Sequence, residues 1–102
     1  MMVMDAEKLE ELENLLLSED TESLHVLFVD DESYELSLFS VAQDADEEFP
    51  HCTAIVIRPI NIPEHKRKFF NPDSGMMFSL NDVTEVRDAK TNERIFCSQI
   101  AA

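Results

Sequence analysis

A single glycine, Gly75, stands in a chain of 102 residues. That scarcity excludes the glycine-rich phosphate loops and dinucleotide fingerprints, which need several glycines for sharp turns and close backbone approach to a pyrophosphate. Positive charge is nearly missing from one half: residues 1–50 carry 16 acids and one base, Lys8, whereas residues 51–102 carry 6 acids and 7 bases. The formal balance is therefore −15 in the first half and +1 in the second. A field of that sign repels phosphate backbones and anionic lipid, and it steers basic partners inward. Trp is absent, Tyr occurs once, and no apolar run approaches the ~20 residues that a spanning helix needs. The opening Met-Met-Val-Met meets Asp5 and Glu7 without a basic segment or a long apolar stretch. This predicts no secretory leader, and so a cytoplasmic protein in which Cys52 and Cys97 are reduced thiols.

What is present suffices for a folded core. Leu, Ile, Val and Phe number 30 of the 102 residues, well above the ~20% below which an acidic chain stays disordered. No repeat, low-complexity tract or Pro/Gly/Ser linker divides the chain, so residues 1–102 are read as a single domain.

Leu9, Leu12 and Leu16 recur at helical spacing with Leu15 beside them, and Asp5 is placed to cap, which predicts a helix over about 5–18. From about 24 to 98 the pattern turns to strands. Leu24–Val29 and Tyr34–Val41 read as a hairpin joined by Asp30-Asp31-Glu32-Ser33, because Asp tolerates strained turn positions. The switch of apolar residues from Leu38 to Phe39 and Val41 implies a bulge or a strand passing from one side of a core to another. Cys52–Ile57 forms a third strand, ended by Pro59 and Pro63, and Gln43–Pro50 is an acidic loop. Asn71-Pro72-Asp73-Ser74-Gly75 reads as a turn joining a Lys66–Phe70 strand to Met76–Phe78, with positive φ expected at Gly75. Ser79-Leu80-Asn81-Asp82 suggests one capped helical turn, followed by a last hairpin of Val83–Arg87 and Arg94–Ser98 with Asn92 in the left-handed region. Alternation assigns Leu12, Leu16, Val26, Phe28, Leu36, Leu38, Ile55, Ile57, Phe78 and Ile95 to the core.

The fold class follows as α+β, mainly β: an N-terminal helix, then a small curved antiparallel sheet or a partly open barrel. In element order, with its single helical turn before the last strands, the chain resembles small SH3-like or Sm-like barrels. Glu32 or a neighbour stands where the Sm motif carries a glycine in its first hairpin.

Several constellations could carry chemistry. His-Val-Leu-Phe-Val-Asp-Asp-Glu at 25–32 resembles the acidic-pocket strand of response-regulator receiver domains, and Ile55-Val56-Ile57 before Asn61-Ile62-Pro63-Glu64 is similar to their third strand. That resemblance implies magnesium held by Asp30 and Asp31, hence a receiver-like or metal-dependent enzyme. The pattern departs where the phosphoacceptor aspartate would stand, at Pro59, and no Lys-Pro signature follows. Asp44-Ala45-Asp46-Glu47-Glu48 starts like a calcium loop, but Phe49 replaces the glycine and Ile55 the closing glutamate, so no metal ligand set is assigned. His51 and Cys52 are strand neighbours pointing to opposite faces, which prevents one from activating the other. Lys66, Arg67, Lys68 and Phe69 form a basic-aromatic segment able to grip RNA or DNA, or else to protect a sheet edge.

The charge layout leads to one expectation over the others: a non-catalytic interaction or regulatory protein without a cofactor. It docks on a basic protein surface through Asp30, Asp31, Glu32, Asp44, Asp46, Glu47 and Glu48, imitation of nucleic-acid charge being one version. The alternatives are a small barrel binding RNA or DNA through the basic-aromatic segment 65–70 and the enzyme built on Asp30 and Asp31.

Overall fold

Helix α1, Ala6–Leu16, is the first element of the computed structural model, which describes residues 5–18, 22–68, 71 and 74–98. Asp5 is its N-cap, as the sequence predicts: the Lys8 amide donates to Asp5 Oδ1 at 2.8 Å, satisfying a helix-end donor. Leu12 and Leu16 enter the core, and Leu9 and Leu15 pack against its margin. The Lys8 ammonium sits 5.7 Å over the Phe96 ring, tying the helix toward the last strand.

Six antiparallel strands follow: β1 (Ser23–Phe28), β2 (Ser33–Ala42), β3 (His51–Asn61), β4 (Gly75–Ser79), β5 (Val83–Asp88) and β6 (Arg94–Cys97). Their order across the sheet is β4-β3-β2-β1-β5-β6. The first four strands meander. A 3₁₀ turn, Leu80–Asp82, then carries the chain back so that β5 lies beside β1. Ser79 caps this turn through its hydroxyl, and the Val29 amide donates to the Asp82 carbonyl at 2.9 Å, fastening the crossing to the end of β1. The sheet does not close, so the architecture is α+β, mainly β, built on an open curved sheet. Among the described residues no helix is long and apolar enough to cross a membrane.

Local chemistry explains most of these turns. Between β1 and β2, Asp31 takes φ 68°, and Asp30 Oδ1 accepts from the Glu32 amide at 3.0 Å, so two aspartates replace the usual glycine. Asn92 takes φ 62° as expected, while Asp88 Oδ1 accepts from the amides of Lys90 and Thr91. Gly75 departs from expectation. It has no positive φ and simply opens β4 opposite Ile55.

Two stretches fold differently from the sequence reading. β3 runs through Pro59 to Asn61 instead of ending there, because the β2–β3 register shifts between Ser33 and Tyr34, next to the Tyr34–Pro59 pair, where a missing donor is tolerated. The expected Lys66–Phe70 strand is replaced over its described part by a short helix, α2 (Glu64–Arg67). Pro63 precedes it with φ −57°, and the Lys66 amide closes the turn onto the Pro63 carbonyl at 2.9 Å. β4 consequently pairs with β3 and not with residues 66–70. Phe69, Phe70, Pro72 and Asp73 lie outside the described residues.

The core contains Leu12, Leu16, Val26, Phe28, Leu36 and Phe78 as predicted, but the other four assigned members, Leu38, Ile55, Ile57 and Ile95, lie outside it. Ile57 and Ile95 are each 40% exposed, because the inward parity of β3 belongs to Cys52, Ala54 and Val56 and that of β6 to Phe96. Ile55, on the same outward parity, is only half-buried. Leu38 is 78% exposed with φ 55°. It sits in the predicted bulge, where the β2–β3 register shifts between Ser37 and Ser40.

An exposed leucine in the left-handed region costs roughly 1–2 kcal/mol, of which glycine's greater unfolded-state freedom offsets about half. Leu38→Gly is therefore expected to raise stability by roughly 0.5–1 kcal/mol, read from the urea midpoint. A loss of similar size would show that Leu38 packs in solution.

Candidate functional site

The first acidic group builds up from the β1–β2 turn. Asp30 and Asp31 are exposed, whereas Glu32 is buried. Glu32 stands immediately before β2, and the Tyr34 hydroxyl, two residues on, donates to Glu32 Oε1 at 2.6 Å. The other carboxylate oxygen accepts from Lys66 Nζ at 2.7 Å, an ion pair that reaches from α2 across 34 positions of sequence. The Lys66 and Tyr34 hydrogen bonds hold the Glu32 carboxyl below its ordinary range. Burial and the Glu32 carboxylate push the Tyr34 phenol up, and the same carboxylate raises the Lys66 ammonium. Glu32 thus departs from the expected exposed contact role: its charge is spent inside the molecule.

Beside this network lies a groove of about 230 Å³ between the end of β1 and β4, lined by Val29, Met76, Met77 and Phe78 with Asp30 and Asp82. Asp82, which the sequence reading did not single out, reaches this place through its carbonyl bond with Val29. No local pattern in the sequence announces that contact.

The second acidic group occupies the β2–β3 loop, at the opposite end of the ten-residue strand β2. The two groups therefore stand at opposite ends of the strand that they flank. Asp44, Asp46 and Glu48 are exposed, but Glu47 is half-buried and engaged. Its carboxylate meets His51 Nδ1 at 2.9 and 3.1 Å and accepts from the Asp44 amide at 3.2 Å. Ligand atoms of Asp44, Glu47 and His51 lie within 4.8 Å of one another, near enough to share a divalent cation. The sequence reading weighed His51 with Cys52 and the loop acids with calcium; the Glu47-to-His51 spacing of four was the available signal.

The basic segment is largely occupied. Lys66 is held by Glu32, and the Arg67 guanidinium donates to the Ile60 carbonyl at 3.2 Å. Elsewhere Arg58 pairs with Glu35, Arg87 and Arg94 with Glu85, Lys90 with Glu22, and Lys8 with Glu11. Six of the eight basic side chains thus have a carboxylate partner within the chain. Among the described residues Asp30, Asp31, Asp44, Asp46 and Glu48 have no ion pair.

Among the described residues neither the receiver-like nor the thiol constellation is brought together. Asp30 and Asp31 stand in the turn of an antiparallel hairpin, without the strand-to-helix crossover that the 25–32 resemblance implies. Cys52 is buried and its thiol is pushed up to about 11 by that burial, while His51 faces Glu47 instead. No family model matches the chain, and comparison with curated proteins and with solved structures returns no match.

Proposed function

We propose that this is a cytoplasmic, non-catalytic interaction protein whose acidic turns dock on a basic surface of a protein partner. One observation supports the reading: six of the eight basic side chains are taken up by carboxylates of the same chain, while Asp30, Asp31, Asp44, Asp46 and Glu48 are exposed without an ion pair among the described residues. Such a field raises association rates and salt sensitivity more than it raises intrinsic affinity. Commitment of Lys66 to Glu32 and of Arg67 to a backbone carbonyl weighs against a nucleic-acid grip by that segment.

The test is affinity capture from native extract at low and high salt. Basic proteins released by salt support the reading, whereas nuclease-sensitive recovery or turnover of a phosphorylated compound overturns it. A sharper form replaces Asp30, Asp31, Asp44 and Asp46 with Asn and Glu48 with Gln, sparing the engaged Glu32 and Glu47. Folding stability should change by less than about 1 kcal/mol, since exposed charges contribute little individually. Partner association should slow and its salt dependence flatten, measured by stopped flow or surface binding. If this variant binds unchanged while Arg67→Glu with Lys68→Glu abolishes capture, the basic segment is the site.

A further inference from the structure

The β2–β3 loop runs from Ala42 to His51, which are register partners where the two strands end and begin. His51 also stands opposite Ser79 of β4, so the backbone that carries its ring is paired on both sides. The imidazole is thus a fixed point. The loop folds back over it, since the Glu47 amide donates to the Asp44 carbonyl at 3.1 Å and the Gln43 side-chain amide donates to the Glu47 carbonyl at 3.0 Å. Asp44, Glu47 and His51 consequently converge, with one ligand atom of each within 4.8 Å of the others. The electrostatics of this corner differ from those elsewhere in the fold. The withdrawn carboxylates Glu32, Glu35 and Glu85 each face a lysine or an arginine, whose charge is permanent. Glu47, its side chain 30% exposed, faces the imidazole of His51, 21% exposed, which is neutral unless protonated. Asp44, Asp46 and Glu48 share the loop, and among the described residues no lysine or arginine pairs with any of the four acids.

We propose that Asp44, Glu47 and His51 form a binding site for a divalent transition ion of the zinc type. His51 supplies Nδ1 and each acid one carboxylate oxygen, with water completing the shell. The nitrogen donor selects the ion: imidazole suits zinc, copper, nickel and iron, whereas calcium takes roughly 6–8 oxygens and magnesium keeps much of its water. Bonds of about 2.0–2.2 Å place the ligands of a tetrahedral ion roughly 3.3 Å apart. The contacts of His51 Nδ1 with the two Glu47 oxygens, at 2.9 and 3.1 Å, are already close to that spacing. Rotation of the exposed Asp44 side chain supplies the remaining closure. Glu47 Oε1 also accepts from the Asp44 amide at 3.2 Å, which orients the carboxylate and leaves Oε2 for the ion. Coordination takes Nδ1 out of its contact with Glu47: a neutral ring then carries its hydrogen on Nε2, and an imidazolium releases one proton to water. The site goes beyond the docking function and does not depend on it.

The test titrates the chelator-treated full chain with Zn²⁺ by calorimetry and with Co²⁺ by visible absorption, Ca²⁺ and Mg²⁺ serving as comparison ions. Saturable binding of a single Zn²⁺ is expected, with a thermal midpoint that rises as the ion is added and a Co²⁺ spectrum free of thiolate charge transfer. His51→Gln keeps a donor for Glu47, yet it should weaken Zn²⁺ binding by roughly tenfold or more, and Asp44→Asn by a similar factor. Asp46→Asn with Glu48→Gln should stay within about threefold of the parent, since exposed charges that do not touch the ion contribute little. In the parent itself the NMR signals of the His51 ring should move on addition of Zn²⁺, so the assignment does not hang on a variant's folding. Absence of saturable Zn²⁺ binding at millimolar ion overturns the proposal. Equal affinity of the parent and His51→Gln does so too, because the loop acids alone would then hold the ion. Ca²⁺ bound as tightly as Zn²⁺ removes the zinc-type assignment, and a thiolate band that vanishes in Cys97→Ser moves the ion to that thiol. Capture of basic partners is read separately, so the docking function stands or falls without this site.

Discussion

Phe28→Ala is expected to destabilise the protein by roughly 3–5 kcal/mol, the cost of truncating a buried phenylalanine whose cavity collapses only in part. Phe28 is 7% exposed at the end of β1, and its ring meets Tyr34 of β2 edge-on at 6.0 Å and Phe78 of β4 edge-on at 4.9 Å. β1 and β4 are not neighbours in the sheet, so no ladder of backbone hydrogen bonds joins them. Curvature brings these strands face to face, and the aromatic contacts hold them so. Since a domain's net stability is only about 5–15 kcal/mol, one such loss removes a large share of it. Urea unfolding followed by far-UV circular dichroism measures the change. Val29→Ala, one position along and 61% exposed, serves as the control and should stay within about 0.5 kcal/mol of the parent. Equal losses in the two variants would mean that the aromatic cluster does not hold β4 over the end of β1.

The neighbouring positions show which features of the fold could be read in advance. Caps and turns were legible because their chemistry is local: Asp5 before a leucine periodicity, Ser79 before Leu80, Asn92 at a left-handed position, and two aspartates where a hairpin lacks glycine. Strand facing was less legible. In β3 every position from Cys52 to Ile57 except Thr53 is apolar, so alternation offers no parity, and the larger Ile55 and Ile57 look more core-like than Cys52 and Ala54. Packing decides the parity, through Cys52 opposite Phe78 and Val56 opposite Leu36. Proline misled in two directions, since a register shift tolerates Pro59 within a strand and Pro63 starts a helical turn as readily as it ends an extended one.

The candidate site divides along the same line. Composition and position alone indicate an acidic first half, and the exposed Asp30, Asp31, Asp44, Asp46 and Glu48 agree with that reading. Which carboxylates are withdrawn from the surface depends on partners far along the chain, as Lys66 is for Glu32 and Arg58 for Glu35. Tyr34 was the one local hint. It stands two residues after Glu32, within reach of that side chain, and a buried phenol seeks an acceptor. The groove beside Asp30 was not legible at all, because it joins the end of β1 to β4, elements distant in sequence whose meeting is set by sheet curvature.

Glu32→Ala is expected to cost roughly 1–3 kcal/mol, more than an acidic turn residue ordinarily contributes. The Glu32 side chain is 11% exposed, and its truncation removes the acceptor 2.6 Å from the buried Tyr34 hydroxyl along with the carboxylate that Lys66 meets. Lys66, whose side chain is 44% exposed, regains water when its partner is lost, so Lys66→Ala should cost less than Glu32→Ala. Glu32→Gln keeps an oxygen for Tyr34 and loses only the charge, placing it between the two. Acid sensitivity supplies a second readout. The Lys66 hydrogen bond, then that of Tyr34, lowers the folded-state value of Glu32 below its ordinary 4.5, so the unfolded chain takes up this proton first as pH falls. The stabilisation is fully present above 4.5 and is lost as pH falls through the folded value. The stability gap between the parent protein and Glu32→Gln should therefore be constant near neutrality and narrow once the pH drops below that range. A gap independent of pH would mean that the carboxylate charge contributes nothing there, and equal losses in Glu32→Ala and Lys66→Ala would assign the effect to the ion pair instead of the phenol.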